Sequence, residues 1–320
     1  MTKRRLIFTM FVLIAMCVGL LGCDGATSSA AGAEDAVVLD EGGDAFTDGG
    51  SIGDVDPPTG PREGEFVALT YNVHGLPPPI TMDDTPGRMV QIAPLLNGFD
   101  LIGLQENFDD QNHETLANAS EHPHQLRFGE PLEDRFYGSG LAVFSEFEIT
   151  DNLHHYYSTC HGRFDSASDC LASKGFQVAR IRLGPGAEVD VYNSHLEAGG
   201  SAEDDLARTV HVDELLEAMT SYSAGRALIF LADTNLHESD PEDAPDLSML
   251  ISEAQLSDAC DVVMCPEPGR IDRIMYRSSV DVELSAMSWR VEPRFVDGEG
   301  DSLSDHDAIS ARIQWRRVPE

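Results

Sequence analysis

Asp233, Thr234 and Asn235 follow the apolar run Leu228–Ala232, and Ser304, Asp305 and His306 stand near the carboxyl end. Alone, each triplet is ordinary. Together with Asn72 at the end of Phe66–Val73, Gln105 and Glu106 closing Leu101–Leu104, and His195 closing Val189–Ser194, they form a set. Each polar group lies at or just beyond the carboxyl end of an apolar, β-favouring run. There a strand leaves a buried sheet and its last side chains can face a shared crevice. Carboxylates and amides to hold a hard cation, with imidazoles to move protons, are the parts of a metal-assisted hydrolase.

Glu106 ends an almost wholly apolar strand, where a carboxylate is costly unless paired or metal-bound. Magnesium takes oxygen ligands and keeps several waters, so one or two carboxylates suffice to hold it. Asp233 and Asn235 are separated by one residue, so on an extended backbone both point to one side. They offer an anion to orient water and an amide to hold a phosphate oxygen. An Asx turn ending the strand is the competing local explanation. His306 and His195 bring the side chain whose reference pKa lies closest to working pH.

These residues need a sheet beneath them. Strands are predicted at Phe66–Val73, Leu101–Gln105, Gly140–Phe144, Gln177–Leu183, Val189–His195, Ala227–Ala232, Ile271–Tyr276, Val280–Ser288 and Ala308–Trp315. Helical spacing places Met89, Ile92, Ala93 and Leu96 on one face of Pro86–Leu96, and Leu206, Val210, Leu215 and Met219 on one face of Glu203–Met219. Strands with interposed helices indicate an α/β class.

Tyr71-Asn72-Val73-His74-Gly75, Gln105-Glu106, Gly140–Ser145, Asn193-Ser194-His195-Leu196, Ala232–Asn235, Arg270–Ile274 and Ser304–His306, in this order, resemble the endonuclease/exonuclease/phosphatase superfamily. The resemblance covers Glu63 to Trp315 and implies a deoxyribonuclease-I-like, four-layer sandwich: two mixed β-sheets face to face with helices outside. It implies Glu106 as principal metal ligand, with Asn72 beside it and Asp305 from the other side. The cation is then Mg2+, with Mn2+ or another divalent ion as alternatives. It further implies that His306 activates water or bonds a phosphate oxygen, that Asp272 orients His306, and that His195 stabilises or protonates from the other side. Asp233 rivals His306 as the base.

Lys174, the only lysine after the leader, lies in a stretch that resembles the Lys-Gly segment of neutral sphingomyelinases. In that branch an aspartate five residues earlier, here Asp169, helps arrange the site. Lys174 would hold a phosphate oxygen or hold Asp169. His195-Leu196-Glu197-Ala198 resembles the same branch's His-Leu-Gln-Ala, with Glu in place of Gln. Secreted bacterial sphingomyelinases carry an aromatic-tipped hairpin that enters lipid, whereas Met264–Gly269 here contains no aromatic residue.

Lys3, Arg4 and Arg5 precede the apolar stretch Leu6–Leu21, and Leu20-Leu21-Gly22-Cys23 reads as a bacterial lipoprotein cleavage box. The expected organisation is a signal peptide over 1–22, a lipidated, flexible acidic tether over 23–62 starting at acylated Cys23, and a catalytic domain over 63–320. The enzyme would be a membrane-anchored lipoprotein outside the cytoplasm. Cys160, Cys170, Cys260 and Cys265 then suggest disulfides, local pairing being the simplest of three connectivities. A zinc site is the competitor, but no histidine is spaced to complete it.

With 56 acidic and 21 basic residues the formal net charge is -35, which disfavours duplex nucleic acid as the main substrate. The resulting expectation is an exported Mg2+-dependent phosphodiesterase, sphingomyelinase or phospholipase C-like, with choline phospholipid as a candidate substrate. Alternatives are an extracytoplasmic nuclease or phosphomonoesterase, and an inactive surface binding module with the same fold. No oligomeric state follows from the sequence.

Overall fold

The computed structural model describes residues 60–76, 81–163, 169–267 and 269–319. The expected signal peptide, Cys23 and all of the tether except its last three residues lie outside the described residues. No helix among the described residues is long and apolar enough to cross a membrane.

Strands β1 (Glu63–Asn72), β2 (Leu101–Gln105), β3 (His124–Phe128), β4 (Leu141–Ser145), β11 (Val282–Val291) and β12 (Ile309–Arg317) form one sheet, in the order β11-β12-β1-β2-β4-β3. Strands β5 (Glu148–Tyr156), β6 (Gly175–Gly184), β7 (Ala187–His195), β8 (Ala227–Asp233), β9 (Ser257–Asp258) and β10 (Asp272–Arg277) form the other, in the order β5-β6-β7-β8-β10-β9. Both are mixed: β1 runs parallel to β2, and β7 to β8, while the neighbouring strands pair antiparallel.

The period-two alternation of each strand sorts its side chains into two layers. Phe66, Ala68, Leu101 and Val143 of the first sheet meet Ala179, Val189, Val191, Ile229 and Leu231 of the second between the sheets. On the outer face of the first sheet, Leu69, Tyr71, Ile102 and Leu104 pack against α1 (Thr85–Leu96) and α2 (Asp110–Ala119). On the outer face of the second, Val178, Tyr192, Leu228 and Phe230 pack against α3 (Ala202–Ser221) and α4 (Asp243–Glu253). This is the four-layer sandwich expected from the sequence.

Two expectations change. Leu206 is exposed at 65% and does not share the buried face of α3, which is Ala207, His211, Val212, Leu215 and Met219. The capping box of Ser201 and Asp204 sets the start of that helix, and its phase puts Leu206 outward. Val280, the expected start of β11, is likewise exposed, and pairing begins at Val282. Both local disulfides are present, Cys160–Cys170 with Cα atoms 5.4 Å apart and Cys260–Cys265 at 5.0 Å.

Candidate active site

The alternation that builds the inter-sheet core also builds the site, because the inner-facing series continues past the apolar residues to the strand ends. On β1 it runs Phe66, Ala68, Thr70, Asn72, and on β2 Leu101, Gly103, Gln105. On β7 it ends at Asn193 and His195, on β8 at Asp233, and the antiparallel β10 begins at Asp272. Register makes Asp233 the direct neighbour of both His195 and Asp272. A buried amide layer joins the sheets: Gln105 Nε2 donates to Thr70 Oγ1 (3.0 Å) and Asn193 Oδ1 (2.7 Å), while Asn193 Nδ2 donates to the carbonyls of Leu104 and Ala142. A Cβ at Gly103 would lie 2.9 Å from Leu231 Cβ, so the glycine permits this close approach.

Asn72 ties the two halves of the site. Its Nδ2 donates to Glu106 Oε1 (3.0 Å) and to Asp233 Oδ2 (2.9 Å). Glu106 Oε2 is buried without a hydrogen-bond partner, and burial raises the pKa of this carboxyl despite Asn72 and the charge of Lys174. An unsatisfied buried carboxylate oxygen is what a divalent cation would complete, so the residues present fit one. Asp305 follows in the loop after Leu303, its Oδ2 3.2 Å from His74 Nδ1, with Ser304 Oγ donating to the Asn72 carbonyl (2.7 Å) and holding that loop to β1.

Asp233, Asp272 and His306 are the other candidate ligand group, their ligand atoms lying within 4.8 Å of one another. Here the positive charge is already supplied. His306 Nδ1 is 2.8 Å from Asp272 Oδ2 and its Nε2 3.6 Å from Asp233 Oδ2. Burial opposes charging the ring, but Asp272 and Asp233 outweigh it and push His306 up to about 10. Asp233 is also buried, yet the His195 and His306 rings, Asn72 and Lys174 keep its pKa below the usual range. The carboxylate oxygen of Glu106 that lacks a partner and the Asp233, Asp272 and His306 trio are thus the two places in the cleft with ligand atoms for a cation, and the trio also has the charged imidazole to handle protons. Burial and the Lys174 charge push His195 down to about 3, and its Nε2 lies between the Lys174 ammonium (3.2 Å) and Asp233 Oδ2 (3.4 Å). Asn235 adopts a left-handed φ of 48°, which Asn tolerates, and its amide nitrogen donates to the Leu196 carbonyl at 3.2 Å.

Lys174 is buried at 4% exposure and spends its ammonium on Asp169 Oδ1 (2.9 Å), the Leu196 carbonyl (2.7 Å) and His195 Nε2 (3.2 Å). Direct contact with a substrate phosphate is not what this geometry provides. Of the two roles expected for it, holding Asp169 is the one observed, and Asp169 Oδ2 in turn accepts from Ala198 N (2.6 Å). The Cys160–Cys170 disulfide closes the loop that carries Asp169. Lys174→Ala is expected to destabilise the protein by about 3–5 kcal/mol, because it leaves Asp169 buried without its cation. Denaturant unfolding measures this; a variant with parent stability and only a raised KM would restore the phosphate contact.

Glu197 is wholly buried beside this pair, and its Oε2 has no hydrogen-bond partner. Burial, reinforced by Asp169 and opposed by Lys174, pushes its carboxyl up to about 7. A folded pKa above the unfolded one means its contribution is full below about pH 4 and is lost as pH rises toward 7. Glu197→Gln is expected to stabilise the protein by about 1–3 kcal/mol at pH 8 and by little at pH 4. Thermal melts across this range test it, and a gain independent of pH would refute the charge as cause.

His74 and Arg88 were not expected in the site. His74 lies within the Asn72 motif, two residues on, and its Nδ1 is 3.2 Å from Asp305 Oδ2 and 3.8 Å from Glu106 Oε2. Arg88, on α1, donates to the carbonyls of Val73 (3.0 Å), His74 (2.7 Å) and Leu303 (2.8 Å). The signal for His74 was its place in Asn72-Val73-His74-Gly75, and Arg88 on α1 had none. Two clefts meet at Asp305: one of about 520 Å³ includes His74, Asp83 and Arg88, and one of about 360 Å³ includes Asp272, His306 and Trp289.

Residues 69–306 match the profile of the Endonuclease/Exonuclease/phosphatase family. A sphingomyelinase of Mycobacterium bovis is 30% identical over 278 residues, which are 78% of this chain and 52% of that protein, so the chain spans about half the length of this relative. Sphingomyelinase C from Streptomyces griseocarneus superposes with a TM-score of 0.58 at 17% identity, covering 78% of this chain and 99% of that one. A Staphylococcus aureus beta toxin variant solved with bound magnesium ions gives 0.59 at 16% identity, with 78% and 99% covered.

Proposed function

Because the chain belongs to the endonuclease/exonuclease/phosphatase family, we propose that it is a divalent-cation-dependent phosphodiesterase of the sphingomyelinase-like branch, with choline phospholipid as candidate substrate. The observation that carries this reading is Asn72, whose one amide group bonds both the cation-type carboxylate Glu106 and the base-type carboxylate Asp233. A binding module needs no such coupling. The magnesium ions in the beta toxin variant support Mg2+ as the cation, with Glu106 and Asp305 holding it, while Asn72, expected as a ligand, turns its Nδ2 to Glu106 and its Oδ1 to His74 N and so positions Glu106.

A cation held at Glu106 would polarise the phosphate and offset charge on the leaving oxygen. Asp233, held ionised, takes a proton from the attacking water as its oxygen bonds to phosphorus and the bond to the leaving oxygen breaks, and the alkoxide released takes its proton from a solvent water in the open cleft. His306, protonated and oriented by Asp272, donates from Nε2 to a phosphate oxygen. Lys174, bonded to His195 Nε2, keeps a positive charge near Asp233, and Asn235, two residues after Asp233, would turn its amide from the Leu196 carbonyl to steady a phosphate oxygen. The acidic rim of Asp83, Asp84, Asp297 and Asp305 disfavours a polyanionic nucleic acid.

Export through a lipidated Cys23 belongs to the same proposal. It is supported by the basic, apolar and Leu20–Cys23 sequence pattern and by two disulfides, which persist in oxidising compartments. The test of function is a side-by-side assay of sphingomyelin, DNA and a soluble phosphomonoester with Mg2+, Mn2+ or EDTA. Cation-dependent release of choline phosphate is expected; preferential cleavage of DNA or of the monoester would replace this reading with a nuclease or phosphatase.

A further inference from the structure

We infer that His74 is a nitrogen ligand to the divalent cation at Glu106, and that it shifts cation preference from Mg2+ toward Mn2+ and Co2+. The inference rests on the cation-dependent reading above. His74 and Glu106 are both non-glycine residues in the left-handed region, with φ of 48° and 56°. Such conformations persist only where surrounding contacts impose them. Here Asn72 Oδ1 accepts from His74 N (3.0 Å), Arg88 clamps the Val73 and His74 carbonyls, and Gly75 presses so closely that a Cβ would lie 2.1 Å from the Glu106 carbonyl oxygen.

The result of these contacts is an imidazole nitrogen aimed between two carboxylates. Its Nδ1 distances, 3.2 Å to Asp305 Oδ2 and 3.8 Å to Glu106 Oε2, fall within the interval between ligand atoms on one octahedral ion. With bonds of about 2.1 Å, that interval runs from about 3.0 Å for adjacent ligands to about 4.2 Å for opposite ones. As a hydrogen-bond bridge His74 would be incomplete, since 3.8 Å is too long and leaves Glu106 Oε2 unsatisfied. Glu106 and Asp305 do not yet stand within one ion's span of each other, since only Asp233, Asp272 and His306 among the described residues bring three ligand atoms within 4.8 Å, so Asp305, exposed at 58%, must swing inward to close the seat. The other ring nitrogen, Nε2, lies 3.2 Å from Asp83 Oδ2, the outer carboxylate that commonly fixes a metal-ligating imidazole. Nitrogen in place of an oxygen ligand favours Mn2+ and Co2+ over Mg2+.

The test uses the full-length mature chain. Mn2+ is bound to the parent, His74→Asn, His74→Asp and Glu106→Gln, and pulsed electron paramagnetic resonance reads directly coordinated nitrogen, while calorimetry compares Mn2+ with Mg2+. Asn and Asp both tolerate left-handed φ, and melting curves check their folding. The parent is expected to show nitrogen coordination that both His74 variants lose, with the Mn2+/Mg2+ affinity ratio falling by about tenfold in His74→Asp. Nitrogen coordination and a ratio unchanged in the His74 variants would overturn the role of His74 alone, provided Glu106→Gln still loses the ion. Failure of the parent to bind either cation would overturn this inference and the cation-dependent reading together.

Discussion

Asp233→Asn is expected to lower kcat by about 10² to 10⁴, the scale of losing positioned proton chemistry. Asn keeps the size of the side chain and can still accept from Asn235 N, which now donates to Asp233 Oδ1 at 3.1 Å, so the fold survives. What is lost is the anion that receives the proton of water. His306→Ala is expected to cost a similar factor, since His306 is the charged group that faces Asp233 and Asp272. The double variant should cost less than the product of the two, because both residues act on one water and one phosphate. Steady-state kinetics of the single and double variants decide this, and fully multiplicative losses would assign them to separate steps.

Glu106→Gln is expected to abolish the response to divalent cations while leaving the cation-free protein as stable as the parent or more so. The folded pKa of Glu106 is raised by burial, so its ionised form costs stability that grows as pH rises above the unfolded carboxyl range. Gln removes that cost and still accepts from Asn72. In the parent, cation binding to the folded state raises the melting temperature by mass action. Melting curves with and without Mg2+ are the measurement: a rise in the parent and none in the variant is expected, and equal rises would place the ion elsewhere, with the Asp233, Asp272 and His306 group the first alternative.

Much of this site could be read from residue order because its parts sit at strand ends. Leu101–Leu104 and Leu228–Ala232 are unbroken apolar runs buried on both faces, and such runs announce where they stop. Elements with weaker apolar signals were not legible. The edge strands His124–Phe128 and Glu148–Tyr156 present mostly polar or half-buried residues, and α2 buries only Asn112 and Leu116. Within α4, Pro245 in the first turn and three acidic residues near it mask a short apolar stripe of Leu247 and Leu250. Lys174 could be singled out as a lone cation, but its burial depends on Asp169 and the Leu196 carbonyl, contacts that sequence spacing does not specify. His74 stood in plain view within a recognised motif. Its approach to Glu106 and Asp305 comes from a left-handed turn and from Arg88, neither of which residue order reveals.

The central claim is hydrolysis of a phosphodiester by water at a cation-loaded site. It is tested most directly by following sphingomyelin with phosphorus NMR in ¹⁸O-labelled water, using cation-depleted protein before and after Mg2+ is added back. The account predicts no cleavage until Mg2+ is restored, and then choline phosphate carrying one labelled oxygen. Cleavage at full rate in the cation-depleted protein, or choline phosphate without the label, would contradict it.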